Sequence, residues 1–81
     1  MPCHQLILPD LGMADQPIVL SLWLVSPGSL VTRGQPIAEV LVGAATVDLP
    51  SPADGVLLEA LVDEDEPIAV GQALAIIENL S

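Results

Sequence analysis

The sequence predicts an all-β fold: a flattened β barrel or sandwich of two quasi-symmetric four-stranded sheets. Three observations predict it. The 81 residues are 52% hydrophobic, yet Trp23 is the one aromatic side chain and there is no Phe or Tyr. A core built from Val, Leu, Ile and Ala is tiled with small branched groups, which suits a thin β sandwich. Prolines at 17, 27, 36, 50, 52 and 67 punctuate the chain and leave no room for a long helix. The chain also repeats itself. At a shift of 37 positions Leu24-Val25 falls on Leu61-Val62, Gly34-Gln35 on Gly71-Gln72, Ala38 on Ala75 and Val40 on Ile77.

The elements follow in order from period and punctuation. Strands are expected near 6–9, 17–25, 36–42, 45–49, 55–62 and 73–78, with short extra strands near 29–32 and 66–69 and no helix beyond one turn. Ile18, Leu20, Leu22 and Leu24 alternate with Val19, Ser21, Trp23 and Val25. Ile37, Glu39 and Leu41 alternate with Ala38, Val40 and Val42. Between the long strands of each copy lies a turn, a short apolar stub and a second turn ending in Gly: "SPGSLVTRG" in the first copy, "DEDEPIAVG" in the second. Strands so spaced, with Pro and Gly at the turns, read as a sandwich or barrel. A hairpin at 43–45 joins the copies. It is expected at one end of the molecule, on the pseudo-twofold axis between them, with Ala44 exposed. The core candidates are Leu8, Ile18, Leu20, Val40, Val47, Val56, Leu61, Val70, Leu74 and Ile76. A chain of this length makes a single domain, expected over 1–81 with its core in 6–78, and since it buries only ~60% of its unfolded surface that core is expected to be marginal.

Charge narrows the function. Eleven acids face one base, Arg33, giving a net charge of -10, and there is no lysine. Nucleic-acid binding and basic anchoring to an anionic membrane both need surface Lys and Arg, so neither is expected. The charge reads as a means of keeping an apolar domain soluble, or as a handle for a basic partner. One cysteine, Cys3, allows no internal disulfide. No basic n-region or apolar h-region opens the chain, and "PIVLSLWLV" is about half a membrane span. A cytoplasmic location is expected.

Few residues offer chemistry. Cys3 and His4 are adjacent, but a metal site needs three or four ligands, and no metal site is expected. Glu64, Asp65 and Glu66 read as a solvated turn rather than an acid/base pair. Arg33 reads as half of a surface ion pair, and Met13 as a packing residue over the barrel end. A single His near one end rules out a Ser–His–acid set. No Gly-rich phosphate loop is present. No catalytic residue is expected.

These stretches resemble the biotinyl/lipoyl attachment domain family, nearest the lipoyl domains of 2-oxo acid dehydrogenase acyltransferase components. "LILPDLGM" (6–13) resembles their first strand and loop. "VSPGSLVTRGQPIAEV" (25–40) resembles their "G-D-x-V-x-x-G-x-x-[LI]-x-x-[VI]-E" stretch. "VDLPSPADGVLLEALVDEDEPIAVGQALAIIE" (47–78) resembles their second half. The family folds as two quasi-symmetric four-stranded sheets. The resemblance implies a lysine at the hairpin tip, usually in an Asp-Lys-Ala triplet, which is acylated by lipoate and carries acyl groups between active sites. On this alignment the triplet falls on Gly43, Ala44 and Ala45. The acceptor lysine is absent and Ala44 stands at its position, so neither lipoate nor biotin is expected to be attached. Asp10, with Leu11 and Gly12, matches the loop that helps the family's partners recognise the domain. The other reading of Asp10 is a turn former bonding its own backbone.

Three readings follow. The first is a degenerate lipoyl-type domain retained for docking or architecture, whose partners would be protein components of a 2-oxo acid dehydrogenase complex or a modifying ligase. The second is a lysine-to-alanine variant of a working carrier domain. The third is a small binding protein or enzyme that shares only the fold.

Overall fold

The computed structural model describes residues 2–13 and 15–79. Eight strands alternate with turns: β1 (Cys3–Ile7), β2 (Ile18–Trp23), β3 (Leu30–Val31), β4 (Pro36–Val42), β5 (Ala45–Pro50), β6 (Gly55–Ala60), β7 (Pro67–Ile68) and β8 (Ala73–Asn79). They form two antiparallel four-stranded sheets, in the orders β1-β8-β6-β3 and β5-β4-β2-β7. The described residues contain no helix. The all-β expectation holds and so do seven of the eight expected strand positions; the first strand, expected near 6–9, runs instead over Cys3–Ile7, where it pairs with β8.

The internal repeat is visible in backbone detail. The shift of 37 carries β2, β3 and β4 onto β6, β7 and β8, and each copy lends its two-residue strand to the sheet of the other. The sheets are thus stitched across the core. The stitch is the same in both places: Gly28 N–H donates to Leu57 O at 2.7 Å, and Asp65 N–H donates to Leu20 O at 2.7 Å. Both turns need a left-handed residue. Gly28 has φ 93, and its counterpart Asp65 has φ 69, the one non-glycine positive φ among the described residues. Asp tolerates that region better than most side chains. Even the irregularities recur, between Leu20 and Leu22 on β2 and between Leu57 and Glu59 on β6.

The sheets close over a core of Leu6, Leu8, Leu20, Val31, Ile37, Val40, Val42, Leu49, Leu57, Ile68, Leu74 and Ile77, among others. Of the core candidates, Leu8, Leu20, Val40 and Leu74 are fully buried, and Ile18 and Val47 pack against the core from its margin. Four candidates need correction. Leu61 is 38% exposed and Val70 is 50% exposed. The β6 bulge puts Leu58 and Glu59 both outside, which inverts the alternation, so Val62 rather than Leu61 takes the core position. Val70 lies in the turn after β7. Val56 and Ile76 are half-buried on the outer face. Val56 shares a rung with Glu78 and Leu30, and Ile76 shares one with Gln5 and Glu59. The irregularity beside Leu6-Ile7 resets the alternation of β8, so Ala75 and Ile77 face inward.

The symmetry also corrects the placement of the hairpin. The shift carries β4 onto β8, and β5 answers to β1 in the sheet order. The β4–β5 tip is therefore exchanged with the place where Asn79 N–H donates to Pro2 O at 2.8 Å. The tip does not lie on the axis. The pseudo-twofold relation sets it on the opposite side of that axis from Pro2 and Asn79.

Candidate functional site

The site is the tip of the β4–β5 hairpin and the loop from Asp10 to Gln16 that leans on it. Val42 and Ala45 form the last rung, leaving a two-residue turn of Gly43 and Ala44. Gly43 has φ 59 and Ala44 has no positive φ. A positive φ at the first central residue alone is the pattern of a type II′ turn, whose twist matches the flanking strands and which takes Gly there. Gly43 N–H donates to Pro17 O at 3.2 Å, tying the turn to the start of β2. Ala44 and Ala45 are exposed and Gly43 is half-buried.

The neighbouring loop is internally built. Asp10 Oδ1 accepts a hydrogen bond from Gly12 N–H at 2.8 Å, an Asx turn that Gly12 completes with φ 76. Gln16 N–H donates to Met13 O at 3.0 Å. Leu11 turns inward and packs against the core. An open hollow of about 630 Å³ lies between loop and tip, lined by Gly12, Met13, Asp15, Gln16, Val42, Ala44 and Ala45. Gly12, Ala44 and Ala45 thus come together, while Asp10 shapes the loop from behind. Met13 is 41% exposed on the hollow's lip rather than packed beneath it.

Sequence reasoning missed Gln16. Its carboxamide Oε1 fills the space on the side-chain side of Gly43, where a Cβ would meet it at 2.6 Å. No local signal marks it: other turn glycines, such as Gly28 and Gly71, have nothing within 4 Å of the same position.

The other candidates lie elsewhere. The acidic turn is structural. Glu64 Oε2 accepts from Trp23 N–H at 2.9 Å, Glu66 Oε1 accepts from Asp63 N–H at 3.1 Å, and Trp23 Nε1–H donates to Val62 O at 3.0 Å. Arg33 N–H donates to Asp54 Oδ1 at 2.7 Å, and among the described residues its guanidinium has no ion-pair partner, contrary to the surface ion pair expected. Cys3 is exposed, and His4 Nε2 lies 3.4 Å from Asn79 Nδ2, at the end away from the hairpin. Among the described residues no three His, Cys, Asp or Glu side chains are grouped so as to hold a metal ion.

Two stitched sheets with a short exposed hairpin between β4 and β5 make up the described fold. The chain belongs to the family described as Biotin-requiring enzyme, whose model matches residues 4–77. It is 33% identical over 78 residues to the lipoamide acyltransferase component of the branched-chain alpha-keto acid dehydrogenase complex of Bacillus subtilis (strain 168), covering 96% of this chain and 18% of that one. It is 36% identical over 70 residues to the dihydrolipoyllysine-residue acetyltransferase component of the pyruvate dehydrogenase complex of Corynebacterium glutamicum, covering 86% of this chain and 10% of that one. The chain therefore spans less than a fifth of the length of these relatives. In fold it matches part of a single-chain, multi-domain long-chain acyl-CoA carboxylase with a TM-score of 0.77 at 13% identity, over 98% of this chain and 7% of that one.

Proposed function

We propose that the chain is a lipoyl-type domain of a 2-oxo acid dehydrogenase-like complex that has lost its acceptor and works as a docking or architectural module. One observation carries the reading. The hairpin has a two-residue turn with Ala44 exposed at its tip, and the family resemblance gives that position to the acceptor. An amide to lipoate or biotin needs an amine, Ala44 offers a methyl, and the 81 residues contain no lysine. The tip therefore does not fit the group that the family carries. On this reading residues 6–78 are the core of one folded unit, the domain is not catalytic, its partners are protein components of such a complex, and its setting is cytoplasmic.

A second reading, a working carrier altered only by a lysine-to-alanine change, is weakened by a specific observation. Gly43 sits at φ 59 with Gln16 closing the space on its side-chain side. The departure is therefore not confined to position 44: residue 43 also lacks a side chain, and Gln16 occupies the space that one would take.

The test is the intact mass of the chain after incubation with lipoate ligase, and separately with biotin ligase. It is expected unchanged in both. A mass gain of one acyl group would contradict the proposal.

A further inference from the structure

We propose that the outer face of the β5-β4-β2-β7 sheet docks a basic amphipathic segment of a partner protein. The inference deepens the docking reading above and rests on it. One rung crosses this sheet as Thr46, Leu41, Val19 and Pro67, each residue paired with the next. It carries no charge. On its β7 side it runs into a groove of about 530 Å³ walled by Pro17, Val19, Pro67, Ala69 and Val70, with Gln16 as its one polar lining residue. Val70 is 50% exposed and Leu41 is 38% exposed. Apolar side chains gathered in this way on a hydrogen-bonded sheet give a partner a preformed surface whose burial is favourable and costs the scaffold little order.

Charge chooses the occupant. The next rung of the same face carries Asp48 on Glu39, Asp15 precedes the groove, and Glu66 precedes Pro67. The one base of the chain, Arg33, lies toward the opposite end, beside Asp54. A second copy of the chain would bring another net charge of -10 against this face. An acidic segment or an anionic membrane is repelled in the same way. A segment with apolar residues on one side and Lys or Arg on the other meets both the groove and its rim.

The experiment is a titration of the 15N-labelled chain with a synthetic amphipathic Leu/Lys peptide and with its Leu/Glu counterpart, at low and at moderate salt. Shifts with the Leu/Lys peptide should gather on Val19, Leu41, Ala69 and Val70, and the Leu/Glu peptide should produce none. Leu41→Thr with Val70→Thr should weaken the Leu/Lys peptide about tenfold or more. Leu30→Thr with Leu58→Thr, exposed residues of the other sheet, should leave it within about twofold. All four positions are exposed, and dispersed amide spectra are the check that each variant is folded. Shifts scattered over every acidic turn, or equal loss in both pairs of variants, would mean simple charge attraction and overturn the proposal. Self-association without peptide would overturn the choice of occupant. The titration does not involve the hairpin, so its failure leaves the missing-acceptor reading standing, whereas acylation of the unaltered chain removes that reading and leaves this surface.

Discussion

Gln16 Oε1 lies 2.6 Å from the point that a Cβ on Gly43 would occupy. The contact is with the far end of a flexible side chain, so Gln16 can swing aside when residue 43 gains a side chain. The backbone at φ 59 cannot relax so readily, and there an L-residue costs about 1 kcal/mol. Gly43→Ala should therefore lower stability by about 1 kcal/mol in urea unfolding. Adding Gln16→Ala should recover less than about half of it.

Gly55 is constrained differently. A Cβ there would run into the backbone carbonyl oxygen of Glu78 on the adjacent strand β8. Neither group belongs to a flexible side chain, so strand separation must give. Gly55→Ala should cost about 1–3 kcal/mol, by the overpacking rule, and more than Gly43→Ala. An unchanged urea midpoint would show that the two strands are not held at this spacing.

The β6 bulge sorts two leucines. Leu57 is fully buried, and Leu61 is 38% exposed beyond the inversion. Leu57→Ala should cost about 2–5 kcal/mol. Leu61→Ala should cost about 1 kcal/mol or less, because most of its side chain is not enclosed. For a small domain with a total stability of about 5 kcal/mol, the first change approaches global unfolding. Thermal melts of the two variants read the difference directly.

Trp23 reports on the acidic turn. Its backbone N–H donates to Glu64 Oε2 and its indole N–H to Val62 O. Glu64→Ala should shift the tryptophan emission and cost about 1 kcal/mol, whereas Glu64→Gln keeps an acceptor and should lose less. Identical emission from both variants would mean that Glu64 does not hold the end of β2.

Much of the fold was legible because the repeat, the prolines and the two-residue period all point the same way. The strand limits of β4 and β8 could be read from Pro36 and from the Gly71-Gln72 turn. What escaped was parity. Simple alternation places Leu61 and Ile76 inward, and bulges that leave no mark in composition reverse it at Leu57/Glu59 and near Ala75. The site was legible as a position, since a Gly-Ala turn between two apolar strands can only be a hairpin tip. Its surroundings were not. Gln16 reaches Gly43 only through the fold of the loop, and Glu64 reaches Trp23 across 41 residues of sequence. The acidic run looked like solvated surface because nothing local names its partner.

Position 44 is the proposed place of the family's acceptor, and an amine is the group whose return there should restore attachment. Intact mass after incubation with lipoate ligase tests it on three proteins: the unaltered chain, Ala44→Lys and Glu66→Lys. Ala44→Lys is an exposed change expected to cost less than about 0.5 kcal/mol, so the variant should fold, as its amide spectrum can verify. One lipoyl addition is expected on Ala44→Lys and none on the other two, because the ligase is expected to read a lysine raised on this hairpin and not lysine in general. A folded Ala44→Lys protein that gains no mass, or a Glu66→Lys protein that gains as much, would contradict it.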